Sequence, residues 1–302
     1  RGASHVGLGA LGQGASWLLA FSSCAAVVVV AARRRLRRER TLQQGIADFY
    51  DASSGVWVEI WGEHMHHGYY DDGSWRSLEE HKAAQVRMME EMLVWAGVPK
   101  PGAQDAPESV LDVGCGVGGA SRFLQRKFGA SYVQGITLSP EQCRRARLMS
   151  EQAGQGSACR FDVADALNMP FPDNSFDLVW SLESGEHMPD KPQFMAEMAR
   201  VCKPGGRVIL VTWVHRTLGD GEVLSARERR LLARINRAYH LPEWCSIADY
   251  AQIAEGGLGM VGVRTTDWTE QIKPFWMAVI LTALQPRGWW AMARGGLETL
   301  RG

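Results

Sequence analysis

Between the apolar run Ser109–Val113 and the helix-forming run Gly119–Phe128, the chain places Gly114, Gly116, Gly118 and Gly119 within six residues. Glycine lets a backbone turn tightly and approach a ligand with no Cβ in the way. The segment therefore reads as a strand-to-helix junction at the binding end of a sheet. Gly114, Gly116 and Gly119 also satisfy the G-x-G-x-x-G pattern of dinucleotide enzymes, which keeps a nicotinamide oxidoreductase as an alternative. Asp112, just before the first glycine, argues the other way, because a carboxylate there repels a pyrophosphate and suits a ligand ammonium.

The pattern around this junction repeats. Strands are expected at residues 109–113, 132–137, 160–164, 176–181 and 207–212, with helices at 119–128, 140–153 and 192–201 between them. Short apolar strands alternating with helices predict an α/β fold, a doubly wound and mostly parallel sheet covered on both faces. Before it, residues 41–107 are helical and aromatic, with one amphipathic helix over 78–95 that stops at Gly97 and Pro99. After it, helices are expected over 225–239 and 246–255, then a sixth strand over 260–268 and a Trp-rich apolar tail.

Four more landmarks follow the glycine loop. The second strand runs into Thr137, Leu138, Ser139 and Gln142, with Ser139 placed to cap a helix and no acid where dinucleotide folds hold a ribose. The third ends at Asp165 and Ala166, before Met169-Pro170-Phe171-Pro172. The fourth, Phe176-Asp177-Leu178-Val179-Trp180-Ser181, enters Leu182-Glu183-Ser184-Gly185-Glu186-His187-Met188. Lys203-Pro204-Gly205-Gly206 turns into the fifth.

In this order the landmarks resemble the Rossmann-like class I S-adenosylmethionine-dependent methyltransferases. The resemblance implies S-adenosyl-L-methionine as cofactor. It would be held by Asp112, Gly114, Cys115, Gly116 and Gly118, by Thr137, Leu138, Ser139 and Gln142, by Asp165 and Ala166 at the adenine, and by Ser181. A narrower resemblance covers about residues 45–283. Gly45-Ile46-Ala47-Asp48-Phe49-Tyr50, Trp61-Gly62-Glu63-His64-Met65-His66-His67-Gly68-Tyr69-Tyr70 and Leu241-Pro242-Glu243-Trp244-Cys245-Ser246 look like gamma-tocopherol C-methyltransferases. That family implies methylation of a phenolic ring carbon in vitamin E biosynthesis, with a small lipophilic aromatic acceptor and a plastid envelope location. Its plant relatives also include N-methyltransferases of indole alkaloids, and the sterol methyltransferases are related. Other acceptors, and a catalytically silent binding module, are therefore competing readings. The family continues past Gly302 with a further strand, so the tail is either truncated or diverged.

Such a donor is already activated, so the protein's task is to align two substrates and to manage the phenol's proton with a base. His187 and Glu186, after the fourth strand, are candidate bases, with His66 and His67 from the N-terminal helical lid. His64, His66 and His67 lack further ligands at metal spacing, and no metal is expected. Formal net charge is zero, which removes any whole-molecule field for gathering nucleic acid. Six cysteines without a C-x-x-C pair read as reduced thiols. Residues 15–32 are apolar and 33–40 carry six arginines, the pattern of an organelle-targeting or membrane-anchoring segment. The expected organisation is that segment at 1–40, the lid at 41–107, the donor-binding core at 108–215 and an acceptor-pocket part with the sixth strand at 216–302. Oligomeric state is not written in the sequence.

Overall fold

Five apolar runs pair side by side into one sheet in the order β3-β2-β1-β4-β5, every pairing parallel. The strands are β1 (Ser109–Val113), β2 (Tyr132–Thr137), β3 (Cys159–Val163), β4 (Phe176–Leu182) and β5 (Cys202–Val211). The computed structural model describes residues 44–47, 51, 58, 62–71 and 78–277. The leader or anchor expected at 1–40 and the tail beyond 277 lie outside the described residues. Among those described, no helix is long and apolar enough to cross a membrane.

Both faces of the sheet are buried, as parallel strands require. Val110, Val133, Leu178 and Trp180 pack on one face with Met88, Met89 and Met92 of α1 (Leu78–Trp95), Leu124 of α2 (Gly119–Phe128) and Ala146 of α3 (Pro140–Gln152). Leu111, Val113 and Val179 pack on the other with Phe194 and Met198 of α4 (Lys191–Val201). Side-chain alternation along a strand sends neighbours to opposite faces, so β1 serves both cores at once.

Helix starts follow local chemistry. Ser139 Oγ accepts from Gln142 N at 3.0 Å to open α3, and Asp190 Oδ1 accepts from Gln193 N at 2.9 Å to open α4. Ser225 with Glu228 and Ser246 with Asp249 form capping boxes on α5 (Ala226–Tyr239) and α6 (Ile247–Gly257). β5 begins earlier than the expected 207, at Cys202. Residues 203–206 bulge between the pairs Phe176–Cys202 and Leu178–Arg207, and hydropathy could not show that.

The expected sixth strand does not form. Residues 260–268 run without a ladder partner, broken by Gly259 and Gly262 at φ +64° and +67°. Among the described residues no strand lies beside this segment, so its backbone has no ladder to join. The segment packs instead through Met260 and Val263 onto Tyr250 and Ala254 of α6.

Candidate active site

Strand order reverses at β1, whose neighbours are β2 and β4. In open α/β sheets ligands bind at the carboxyl ends of the strands beside such a point. A cavity lies there. Its floor is Asp112, Gly114, Cys115 and Gly116, one wall is Thr137, Leu138, Ser139 and Gln142, and a third side carries Ala164 and Ala166. Glu183, Ser184, His187 and Met188 from the loop after β4 close the next side, and His64, Met65 and His66 lie over it.

Each part is held for a visible reason. The glycine loop is tied to β2 by Gly114 N and Cys115 N, both donating to Ile136 O at 2.9 Å. Asp112 Oδ2 accepts from Ser121 Oγ at 2.6 Å, and burial pushes its carboxyl up to about 6 despite that bond. Thr137 Oγ1 donates to Gln142 Oε1 at 2.8 Å. No acid stands directly at the end of β2, yet one arrives from elsewhere, since Ser139 Oγ is hydrogen-bonded to Asp51 Oδ1.

Residues 62–71 form an extended strap. Gln85 Nε2 donates to His64 O at 2.7 Å and His66 O at 3.0 Å, and Tyr69 N donates to Ala84 O at 2.8 Å. Glu63 Oε2 accepts from Arg122 Nη2 at 2.6 Å and Nε at 2.9 Å, a paired charge for a guanidinium that is only 1% exposed. Gly119 must be glycine, because a Cβ there would stand 2.2 Å from Glu63 O.

At the far side of the strap stands the most chemically specific pair. Glu183, at φ +54°, directs a carboxylate whose side chain is 9% exposed onto His67. Both its oxygens lie 2.8 Å from His67 Nδ1, and His67 N donates to them at 3.2 and 3.1 Å. Burial opposes this charge most strongly, but His67 and His66 together hold the Glu183 carboxyl below its ordinary value. An ionised carboxylate only accepts, so Nδ1 donates to it, and in the neutral imidazole Nε2 is then the ring's acceptor. That Nε2 is buried without a hydrogen-bond partner among the described residues. The His67 ring is enclosed by Phe275, Trp276 and Trp213 at centroid distances of 4.0, 5.4 and 5.5 Å. The Trp213 Nε1 donor is likewise buried and unpartnered among the described residues.

The other expected bases sit differently. His66 lines the cavity, with its Nδ1 donating to His67 O at 2.8 Å, and burial lowers its pKa. His187 also lines the cavity, but burial and then Lys191 and His240 push it down to about 4, a weak base at neutral pH. Glu186 does not line it. It accepts from Thr212 Oγ1 at 2.9 Å, and burial followed by the Glu183 charge raises it to about 7. Among the described residues no three His, Cys, Asp or Glu side chains converge on a metal position.

Of the expected cofactor residues, the structure brings Asp112, Gly114, Cys115, Gly116, Thr137, Leu138, Ser139, Gln142 and Ala166 to one cavity. Three stand off it. Gly118 packs beneath the loop against Phe161, Asp165 Oδ1 accepts from Leu167 N at 2.9 Å, and Ser181 Oγ bonds Ser184 Oγ at 2.7 Å. Sequence reading missed Glu183, Ser184, Met65, Trp213 and Asp51. Only Glu183 carried a signal, an acid right at the end of β4.

The lining fits a zwitterionic sulfonium nucleoside. Gly116, at φ +53°, opens into the cavity, where a Cβ would meet only Met65 Sδ at 3.8 Å and Gln142 Nε2 at 3.9 Å, so the bare backbone is a cradle that a side chain would fill. Asp112 offers a carboxylate for an ammonium, and no described cation among the lining residues offers a pyrophosphate its counter-charge.

Comparison with known proteins agrees. The methyltransferase-domain family matches residues 111–210. A probable chloroplastic tocopherol O-methyltransferase of Oryza sativa subsp. japonica is 53% identical, over 86% of this chain and 72% of its own length. The chloroplastic tocopherol O-methyltransferase of Arabidopsis thaliana is 48% identical, over 86% and 75%. Geranyl diphosphate C-methyltransferase from Streptomyces coelicolor A3(2), solved with S-adenosyl-L-homocysteine, shares the fold at a TM-score of 0.68 and 21% identity, covering 84% of this chain and 92% of its own. The chain thus belongs to the tocopherol methyltransferase family, within the class I S-adenosylmethionine-dependent methyltransferases.

Proposed function

We propose that this enzyme methylates a phenolic ring carbon of a tocopherol, the gamma- to alpha-tocopherol type of reaction in vitamin E biosynthesis, and works at the plastid envelope. One observation carries the substrate class. The aromatic enclosure of Trp213, Phe275 and Trp276 holds one unmet acceptor, His67 Nε2, and one unmet donor, Trp213 Nε1. A phenol answers both, since its hydroxyl donates to the imidazole and its oxygen accepts from the indole.

When bound, S-adenosylmethionine supplies an electrophilic methyl group. The chain's own residues do the rest. Asp112 holds the donor's ammonium, Gly116 lets the backbone approach, Thr137, Ser139 and Gln142 meet the ribose, and Ala164 and Ala166 flank the adenine. The strap of residues 62–71 covers the donor as the lid. His67 Nε2 takes the phenol proton, making the ring carbon beside the oxygen a stronger nucleophile. As that carbon takes the methyl, the bonding electrons stay with the sulfur, and the carbon's own hydrogen then leaves as a proton to restore the aromatic ring. His67 returns its proton to the oxygen, with Glu183 holding the imidazole in the tautomer this needs. His66 and His187 wall off water.

Three expected results test these roles. Label from methyl-labelled donor should enter gamma- and delta-tocopherol in preference to an indole alkaloid, with the new methyl on carbon by NMR. A methyl on oxygen, or label only in the alkaloid, overturns the reading, and loss of donor binding would mark a silent module. Donor affinity should rise about tenfold per unit as pH increases toward 6 and then level off, because Asp112 must ionise to meet the ammonium. A flat calorimetric profile between pH 4.5 and 7 would remove Asp112 from that role. Trp213→Phe keeps the ring and deletes one hydrogen bond, so the acceptor KM should rise roughly fivefold. An unchanged KM would show that the indole N–H does not meet the phenol.

A further inference from the structure

Helix α5 buries none of its residues and carries Arg227, Arg229, Arg230, Arg234 and Arg237 against a single acid, Glu228. Glu228 is occupied at the cap, accepting from Arg216 Nε at 2.7 Å and from Ser225 N. Arg229 bonds Leu224 O, and Arg237 reaches Ala233 O at 3.4 Å. That leaves Arg227, Arg230 and Arg234, spaced i, i+3 and i+7 on one face, all exposed and without an ion partner among the described residues. Leu231 sits within this stripe and is 47% exposed. Elsewhere Arg87, Arg122, Arg144, Arg145, Arg147, Arg200 and Arg216 are all salt-bridged, and the chain's formal net charge is zero. Three exposed positive charges thus share one helix face and are unanswered within the described residues.

A second observation gives the face its partner. Tyr239, in the last turn of α5, is in ring contact with Trp213 at 5.8 Å, and Trp213 with Trp276 at 6.1 Å. Trp276 is 44% and Met277 55% exposed, and Val223, just before α5, is 72% exposed. Arginines around a solvent-facing leucine, with a half-exposed tryptophan close by, are the composition of a helix lying in a lipid headgroup layer. We propose that α5 docks the enzyme on an anionic lipid surface through Arg227, Arg230, Arg234 and Leu231, beside the enclosure that receives the acceptor. The choice of lipid over another polyanion rests on the lipophilic acceptor assigned above. The unpaired stripe stands without it.

The test compares the full chain with the triple variant Arg227→Gln, Arg230→Gln, Arg234→Gln in sedimentation with vesicles of phosphatidylglycerol and phosphatidylcholine, and of phosphatidylcholine alone. At about fivefold for each arginine, partition onto the anionic vesicles should fall roughly 100-fold in the variant, and native binding should weaken with added salt. Leu231→Ser should weaken binding without changing its salt dependence. Turnover of a water-soluble chromanol without the isoprenoid chain should match native in both variants, reporting an intact fold and active site. Equal partition of native and triple variant, or native binding to RNA with none to anionic vesicles, overturns the proposal. Methylation of no phenol at all would sink the acceptor reading and leave the vesicle result to decide the helix.

Discussion

Replacing His67 with glutamine is expected to lower kcat on gamma-tocopherol by about 10²–10⁴-fold, the usual worth of a positioned general base, while donor affinity stays native. Glutamine keeps a polar group near Glu183 but its amide offers no basic lone pair. His67 Nε2 is the one expected base whose other ring nitrogen is fixed by an ionised acid, at 2.8 Å from both carboxylate oxygens. Glu183 does not face the phenol, so its effect should pass through His67. Glu183→Gln should cut kcat with KM little changed, and Glu183→Asp should recover part of the loss. A purely structural Glu183 would instead lower the melting temperature with no such split between kcat and KM. If His67→Gln turns over at the native rate, the base lies elsewhere, and His66, which lines the donor cavity, is the next to replace.

This assignment shows what the sequence could and could not carry. The glycine loop, the strand ends and the cap at Ser139 were readable because each is a local device, decided by residues a few positions apart. Asp112, Gly114, Gly116 and Gln142 therefore reach the cavity where expected. The dyad is the opposite case. His67 and Glu183 are 116 positions apart, and only the strap's attachment through Gln85 and the left-handed turn at Glu183 bring them together. Glu186 and His187 stood first among the candidates because they follow the fourth strand, where acceptor and donor should meet. In the fold one points to Thr212 and the other is buried into a weak base. The sixth strand failed for a similar reason, since alternating hydropathy does not reveal whether a neighbour exists to bond the backbone.

Glu186 has a role to test that is energetic. Two carboxylates stand close in the enclosed loop after β4, and one of them is held by His67. Burial, then the charge on Glu183, raises Glu186 to about 7, so below that pH the pair carries one negative charge. Unfolded, Glu186 would ionise near its ordinary 4.5. Between pH 4.5 and 7 the folded state thus holds a proton that the unfolded state has lost, and stability falls as pH rises through this window. Over the whole window the decline attributable to Glu186 is about 3 kcal/mol, from the size of the shift at about 1.4 kcal/mol per unit. Glu186→Gln is neutral at every pH and still presents an oxygen to Thr212 Oγ1. It should match native stability near pH 4.5 and exceed it by about 3 kcal/mol at pH 8 in denaturant melts. A difference between the two proteins that does not change with pH would mean that Glu186 is ionised in the fold throughout. Glu183 and Glu186 would then both be charged, and a cation would have to lie close to both.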